Sequence, residues 1–166
     1  MLECLFKWKL KQKNHLCLLE RQLEDVIMGT DIHIYVENKH GRKRKSYHFM
    51  GSFDGDRIYG IFEALGVYMG DIKPLFEPRG LPGDVTNVVY KEYIDGKPDW
   101  HHASWLTTQE LKECLLYAEQ ELKAYCKRVG HEYEEDCTKS YWKVYAYAKD
   151  LEDPGEPSRI IYWFDN

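Results

Sequence analysis

The chain has 166 residues, of which 43% are apolar and 14% aromatic, and its formal net charge at pH 7 is −5. A chain of this length can form one domain with a substantial core and is short for two. The apolar content excludes general disorder, and the acidic balance argues against a broad nucleic-acid-binding surface, so we expect no extended nucleic acid as a partner.

The cysteines and the first segment bear on the cellular compartment. The five cysteines lack the spacing of a metal site, which is typical of free thiols in a reducing cytoplasm. Lys and Gln interrupt the apolar positions near the N-terminus, so we expect neither a secretion signal nor a membrane span there. These features predict a cytoplasmic protein without a membrane partner, and they leave homo-oligomer formation open.

The first half of the chain predicts a helix followed by a β-hairpin. Leucines at loosely helical spacing predict a helix over residues 2–26. Residues 31–37 alternate between apolar and polar side chains, which predicts a strand with one core face and one polar face. Residues 39–42 predict a turn, and 46–49 the returning strand.

The second half predicts mostly helices and one terminal strand. Turn residues and caps divide it into a helix over 57–65, a loop over 70–84, a helix over about 86–93, a capped helix from 107 to about 128, a helix over about 133–150 and a strand over 159–164. The terminal strand is expected to join the hairpin. The predicted fold is α+β, with a small antiparallel sheet (hairpin plus C-terminal strand) covered by helices on one face.

Three groups of polar residues are candidates for a site. The first is the polar face of the predicted strand, where Asp31, His33, Tyr35 and Glu37 stand about 7 Å apart in a row. A carboxylate and an imidazole so placed can share a metal ion or hold a polar ligand. The alternative is an ordinary solvated sheet face.

The second group lies between Trp100 and Trp105, just before the capped helix. His101, Ser104 and Trp105 would sit on a loop beside a helix N-terminus, whose free amides favour an anion. In the alternative, the tryptophans anchor the loop in the core. Adjacent histidines usually diverge, so only one of His101 and His102 is expected to contact a ligand. We expect this group and the first group to meet in one cleft.

The third group is the stiff loop over residues 78–84. Its Arg79 and Asp84 can clamp a phosphate or a carboxylate through the guanidinium group. The alternative is a rigid connector that contains an Arg–Asp pair. As a surface loop residue, Arg79 is expected to contribute little to stability.

Several motifs follow one another in a fixed order: Met28-Gly29-Thr30-Asp31-Ile32-His33, Asp56 to Phe62, Pro78-Arg79-Gly80-Leu81-Pro82, His101 to Leu106, and the terminal Arg159 to Asn166. As a set, they resemble a family of small uncharacterised proteins encoded by bacteriophages and prophages. The resemblance covers nearly all of residues 28–166 and implies an accessory role in the cytoplasm of a bacterial host cell. Where this chain has His102, the family more often has Ser, which favours His101 as the site residue.

The resemblance carries over a shared polar set: Asp31, His33, Arg57, Arg79, Asp84, His101, Ser104, Arg159 and Asp165. The favoured function is binding of a small anionic, nucleotide-like ligand, with Arg57, Arg79 and Arg159 holding the anion while aromatic rings, including Trp105, stack on its base. In a phage accessory protein this would sequester a host defence signal.

Two alternatives stay open at this point. In the first, Asp31, His33, His101 and Asp165 bind one divalent metal ion, which generates hydroxide for a hydrolase. In the second, the acidic surface blocks a host protein. No cofactor other than that metal is indicated, and no pair of nucleophile and base is recognisable, so the sequence leaves catalysis undecided.

Residues 1–27 form a doubtful N-terminal extension to a single α+β domain over 28–166. The family-like pattern begins at Met28, and codons for Leu23-Glu24-Asp25 can spell a ribosome-binding sequence at a suitable distance before it. We therefore expect Met28 to be the natural start. The alternative is an amphipathic helix that docks on the domain or mediates oligomerisation. Comparing the stability of residues 28–166 with that of the full chain distinguishes the two.

Overall fold

The computed structural model describes residues 30–40, 46–67, 72–96 and 98–165. The helix predicted over residues 2–26 lies outside the described residues, as does the question of the natural start at Met28. Residues Asp31–Asn166 form one compact unit.

The secondary structure consists of four strands and four α-helices among the described residues. The strands are β1 (Ile32–Asn38), β2 (His48–Asp54), β3 (His101–Thr107) and β4 (Ser158–Phe164). The helices are α1 (Tyr59–Ala64), α2 (Asn87–Asp95), α3 (Thr108–Val129) and α4 (Lys139–Asp150), and a short 3-10 turn (Glu135–Thr138) leads into α4.

The four strands form one antiparallel sheet in the order β2-β1-β4-β3. This arrangement confirms the α+β class, the hairpin and the pairing of the C-terminal strand with it. The loop predicted between Trp100 and Trp105 is wrong, because His101–Thr107 forms the edge strand β3. A bulge between His101 and Ser104 breaks the alternation of buried and exposed residues, so the sequence pattern concealed this strand.

One face of the sheet, here face one, carries the main core. Alternate residues Ile32, Ile34 and Val36 of β1 are almost fully buried there. They pack with apolar side chains of the helices: Ile61 and Phe62 from α1, Leu111, Leu115 and Ala118 from α3, and Tyr141, Val144 and Ala148 from α4. The period-2 pattern of β1 and the helical spacing of α3 and α4 therefore meet in one core.

The opposite face, face two, is also covered, which corrects the prediction of helices on one face only. Tyr35 and Glu37 of β1 are buried there, and Trp163 of β4 is fully buried. A second cluster forms around them, to which α2 contributes Val89. Side chains of β4 help to bury these positions of β1: Trp163 stacks on Tyr35 at 4.6 Å between ring centroids, and Arg159 pairs with Glu37.

The cap predicted for α3 is confirmed. The Thr107 hydroxyl accepts a hydrogen bond from the Glu110 amide, and the Glu110 carboxylate accepts one from the Thr107 amide. The helix ends at Gly130, which adopts a left-handed conformation with φ 76°. None of the helices in the described part of the chain combines the length and the apolar composition that a membrane crossing requires.

Replacement of Thr107 by Ala should lower the free energy of unfolding by about 1 kcal/mol, because the Glu110 amide loses its acceptor. Chemical denaturation measures the change. Thr107→Ser keeps the hydroxyl and should be close to the parent protein. An equal loss in both variants would show that the methyl group of Thr107, rather than the cap, stabilises the helix.

Candidate ligand-binding groove

An open groove lies on face two, at the end of the sheet where β1 ends and β4 begins. Its volume is about 580 Å³, and it is lined by Lys39, Tyr47, Arg79, Leu81, Pro82, Gly83, Asp84, Trp105 and Arg159. Four residues predicted to bind a ligand therefore meet here: Arg79, Asp84, Trp105 and Arg159. They come from the 78–84 loop, β3 and β4.

The floor of the groove is a buried ion pair between neighbouring strands. Glu37 of β1 and Arg159 of β4 are register partners, and their side chains are 0% and 4% exposed. The Arg159 guanidinium donates to the Glu37 carboxylate from Nε at 2.8 Å. It also donates to the side chain of Asp84 at 2.5 Å and to the Asp84 carbonyl at 2.9 Å. Arg159 is thus committed to protein acceptors, which corrects its expected role as an anion-binding residue.

The same pair fixes the loop before α2 on the sheet. The other Glu37 oxygen accepts a hydrogen bond from the Thr86 amide at 2.9 Å. Arg159 holds Asp84, and Glu37 holds Thr86. The segment that leads from the 78–84 loop into α2 is therefore bound at two residues to the buried ion pair. The hydrogen bond from Arg159 lowers the pKa of Asp84, so this carboxyl remains ionised at neutral pH.

Aromatic and cationic side chains form the walls of the groove. The Arg159 guanidinium lies 3.6 Å from the centre of the Tyr47 ring, and the Lys39 ammonium lies 5.5 Å from the same ring. Across the groove, the Arg79 guanidinium lies 4.9 Å from the centre of the Trp105 ring. Two aromatic rings, each with a cation beside it, therefore border the groove.

The Arg79 loop is fastened to β3 and α3. The Arg79 backbone amide donates to the Ser104 hydroxyl at 3.0 Å, and the Gly80 amide donates to the Ala103 carbonyl. The guanidinium forms a two-pronged ion pair with Glu110, at 2.6 and 3.0 Å. The partner of Arg79 is therefore Glu110, and not Asp84 within the loop. This network assigns Arg79 a role in stability that its loop position did not predict.

The Glu110 carboxylate is the most strongly perturbed acid of this network. Its hydrogen bond with Arg79, aided by those from Thr107, lowers its pKa from 4.5 to about 2. It thus links the cap of α3 to the groove wall, because one carboxylate accepts from both Thr107 and Arg79.

A second polar cluster lies at the other end of the sheet. The Asp165 carboxylate contacts the His33 ring nitrogen Nε2 at 2.9 Å and accepts from the Asp31 amide at 2.9 Å, and Arg57 donates to the Asp31 carboxylate at 2.6 Å. Burial raises the pKa of Asp165, but the hydrogen bonds from His33 and the Asp31 amide outweigh it, and the pKa is lowered. His33 pairs with Trp163, four residues from Arg159, which places this cluster about 13 Å from the groove floor.

The single cleft expected for the two histidine-containing groups is not formed. His33 is opposite Trp163, whereas His101 is opposite the next residue, Phe164. Since successive strand residues point to opposite faces, His33 lies on face two and His101 on face one. Ser104 also faces away from His33, and it holds the Arg79 loop. His101 and Ser104 therefore lie on the face opposite to His33, whereas Trp105 of the same group lies on face two with His33.

The metal site expected from Asp31, His33, His101 and Asp165 is also not formed. Among the described residues, no three or more His, Cys, Asp or Glu side chains are placed to hold one metal ion. Asp31 is engaged by Arg57 and Asp165 by His33, while His101 lies on the other face. This geometry gives the hydrolase alternative no support.

Sequence reasoning did not select Lys39 and Tyr47 of the groove, and it did not foresee the burial of Glu37. Lys39 was placed in the predicted turn and Tyr47 in the returning strand. Glu37 was a candidate on the polar face of β1, with no partner assigned to it. The sequence did contain a signal for this ion pair. A Glu on a strand rich in apolar residues needs a cation as its partner if it is buried, and Arg159 stands at the start of the other strand rich in apolar residues.

No known protein family model, curated protein or solved structure matches the chain. The resemblance to phage proteins therefore stays a prediction, and the geometry carries the functional argument.

Replacement of Arg159 by Met should destabilise the fold by about 3–5 kcal/mol, since it leaves the buried Glu37 carboxylate without its partner. Urea denaturation monitored by tryptophan fluorescence measures the loss. The double variant Glu37→Leu/Arg159→Met should recover at least half of it, because no buried charge remains unpaired. A double variant as unstable as the sum of its parts would contradict this account of the groove floor.

Stability should depend on pH through Glu110. Folding lowers the pKa of Glu110, so its ionised carboxylate stabilises the folded state. This contribution to the free energy of unfolding is complete above the pKa of the unfolded chain, about 4.3. It is lost as the pH falls toward the pKa of the folded protein, about 2. The stability difference between the parent protein and Arg79→Gln should therefore shrink from pH 5 to pH 2, as measured by urea denaturation. A difference that is constant over this range would show that the ion pair with Glu110 contributes nothing.

Proposed function

We propose that the groove binds a small anionic ligand with a planar ring, of the nucleotide type. The observation that carries the proposal is the pair of aromatic rings, Trp105 and Tyr47, that border one open groove with cations beside them. Ligand pockets of about 300–1,000 Å³ hold small molecules, and a volume of about 580 Å³ falls in this range.

The anion would be recognised by Lys39 and Arg79 at the rim. Arg159 supports the floor but has given its donors to Glu37 and Asp84. Arg79 pairs with Glu110 through two nitrogens and is still about one-third exposed. An arginine held in a fixed plane can donate its remaining N–H groups to a phosphate without losing further side-chain entropy, and a nearby lysine adds a positive charge without a fixed geometry.

The base would be recognised by stacking. Trp105 is half-buried with the Arg79 guanidinium beside its ring, and Tyr47 has the Arg159 guanidinium beside its ring, so the base would stack on the ring face that the guanidinium leaves open. Stacking on such rings stabilises a bound base by about 1–3 kcal/mol and tolerates different bases. The groove is thus suited to nucleotides as a class, and its ring walls alone do not select one base.

The motif resemblance suggests a setting for this activity. In an accessory protein encoded by a bacteriophage, binding without turnover would sequester a nucleotide signal of the host defence. This step rests on analogy, whereas the binding proposal rests on the groove.

Adenosine monophosphate should raise the melting temperature of the full chain more than adenosine or inorganic phosphate does at the same concentration. Only the nucleotide engages both the rings and the cations. At a concentration of about 100 times Kd, the stabilisation is about 2.7 kcal/mol, which corresponds to a rise of several degrees. Differential scanning fluorimetry measures the shift, and titration calorimetry measures the affinity.

Lys39→Gln should weaken the nucleotide's effect and leave the small effect of adenosine unchanged. Lys143→Gln is the matched control, because Lys143 is exposed on α4, which packs on face one. Equal shifts from the nucleotide, adenosine and phosphate, or equal losses in both lysine variants, would reject the groove as a nucleotide site.

A further inference from the structure

The two aromatic rings of the groove come from opposite edges of the sheet. Trp105 is on the edge strand β3, where it pairs with Ile161 of β4. Tyr47 directly precedes β2, which is the other edge strand, and both β1 and β4 lie between the two edges. The backbones of Trp105 and Tyr47 are therefore three strand spacings apart across the sheet, or about 14 Å.

The two residues are also offset along the strands. Trp105 is level with Ile161, whereas the residue after Tyr47 is level, through β1, with Ser158. Tyr47 lies one residue further, so the offset along β4 is four residues, or about 13 Å. Together, the two displacements place the backbones of Tyr47 and Trp105 about 20 Å apart, at diagonal corners of the groove.

A single base does not span this separation. If both side chains lean toward each other by about 5 Å, about 10 Å still separates the ring centres. A base held between two rings needs ring centres about 7–8 Å apart, which is two contact distances. Tyr47 and Trp105 are therefore separate stacking positions, and the groove of about 580 Å³ that they both line includes the two of them.

Each stacking position has its own cation. The Lys39 ammonium lies 5.5 Å from the centre of the Tyr47 ring, and the Arg79 guanidinium lies 4.9 Å from the centre of the Trp105 ring. A base on either ring therefore has a positive charge within reach of the phosphate of the same nucleotide. The groove thus repeats the same pair of contacts, one ring and one cation, at its two ends.

The middle of the groove has the opposite charge. Arg159 lies between the levels of the two rings, and its guanidinium is paired with both Glu37 and Asp84. Two carboxylates against one guanidinium leave the floor with a net negative charge, which disfavours a phosphate there. The Asp84 side chain is 61% exposed, so its carboxylate can also accept a hydrogen bond from a ligand hydroxyl. A ribose meets this requirement.

We propose that the groove binds a dinucleotide of the RNA type, with one base stacked on each ring and one phosphate beside each rim cation. The two bases would be splayed apart, as bases are when aromatic side chains hold single-stranded RNA. The ribose between them would donate a hydroxyl to Asp84. This inference rests on the proposed function, because it specifies which nucleotide the same groove takes.

Calorimetric titration of the full chain with adenosine monophosphate and with the 5′-phosphorylated dinucleotide pApA tests the inference. We expect two equivalents of the mononucleotide and one of the dinucleotide, because the stacking positions are separate. The dinucleotide should bind at least about tenfold more tightly, since its second half binds in an intramolecular step. Its deoxyribose form should bind about threefold to tenfold more weakly than pApA, because the hydrogen bond to Asp84 is lost.

Tyr47→Leu removes one of the two stacking positions. This variant should bind one equivalent of adenosine monophosphate, at Trp105, and its affinity for pApA should fall at least about tenfold. Tyr125→Leu is the matched control, because Tyr125 is exposed on α3, which packs on face one. Thermal melts show whether both variants are folded, and the two stoichiometries of the parent protein test the inference without any variant.

Two sets of results would overturn the inference, and they are distinguishable. One equivalent of each ligand with equal affinity, or full affinity for pApA in Tyr47→Leu, would reject the dinucleotide and leave the groove as a mononucleotide site. Binding of neither ligand to the parent protein would reject the proposed function together with this inference.

Discussion

The buried ion pair between Glu37 and Arg159 is the interaction on which this structure depends. Each charge would be costly to bury alone, and the pair is stable because Asp84 and the Thr86 amide satisfy the remaining donors and acceptors. The pair joins the two central strands at one level of the sheet and also holds the segment that leads into α2. Without it, face two would lose both its floor and the position of its covering loop.

The same constraint decides which residues are left for a ligand. Arg159 uses its donors inside the protein, so among the described residues that line the groove, Lys39 and Arg79 at the rim are the ones that present positive charge to a ligand. Arg79 is itself fixed by Glu110, and this carboxylate belongs to the cap of α3. The groove is therefore built from groups that are already ordered, which reduces the entropy lost on binding.

The hairpin, the long helix and the terminal strand were predictable. The signals were the period-2 pattern of β1, the capping box at Thr107 and the turn glycines. The strand β3 was not predictable, because the bulge at His102 removes the alternation that identifies strands. The site was predicted only in part. Arg79, Asp84 and Trp105 do line one groove, but a pattern of polar residues does not show the register, and a one-residue offset in register separates His33 from His101.

The most direct test of the account is an NMR titration of the full chain with adenosine monophosphate that follows the indole N–H of each tryptophan and the side-chain Nε of each arginine. The account predicts that the largest saturable shifts belong to Trp105 and Arg79. Trp163 and the Nε of Arg159, which is held by Glu37, should change little. Shifts that centre on the aromatic cluster around His33, or that are absent altogether, would contradict the claim that the groove over the buried ion pair is the ligand site.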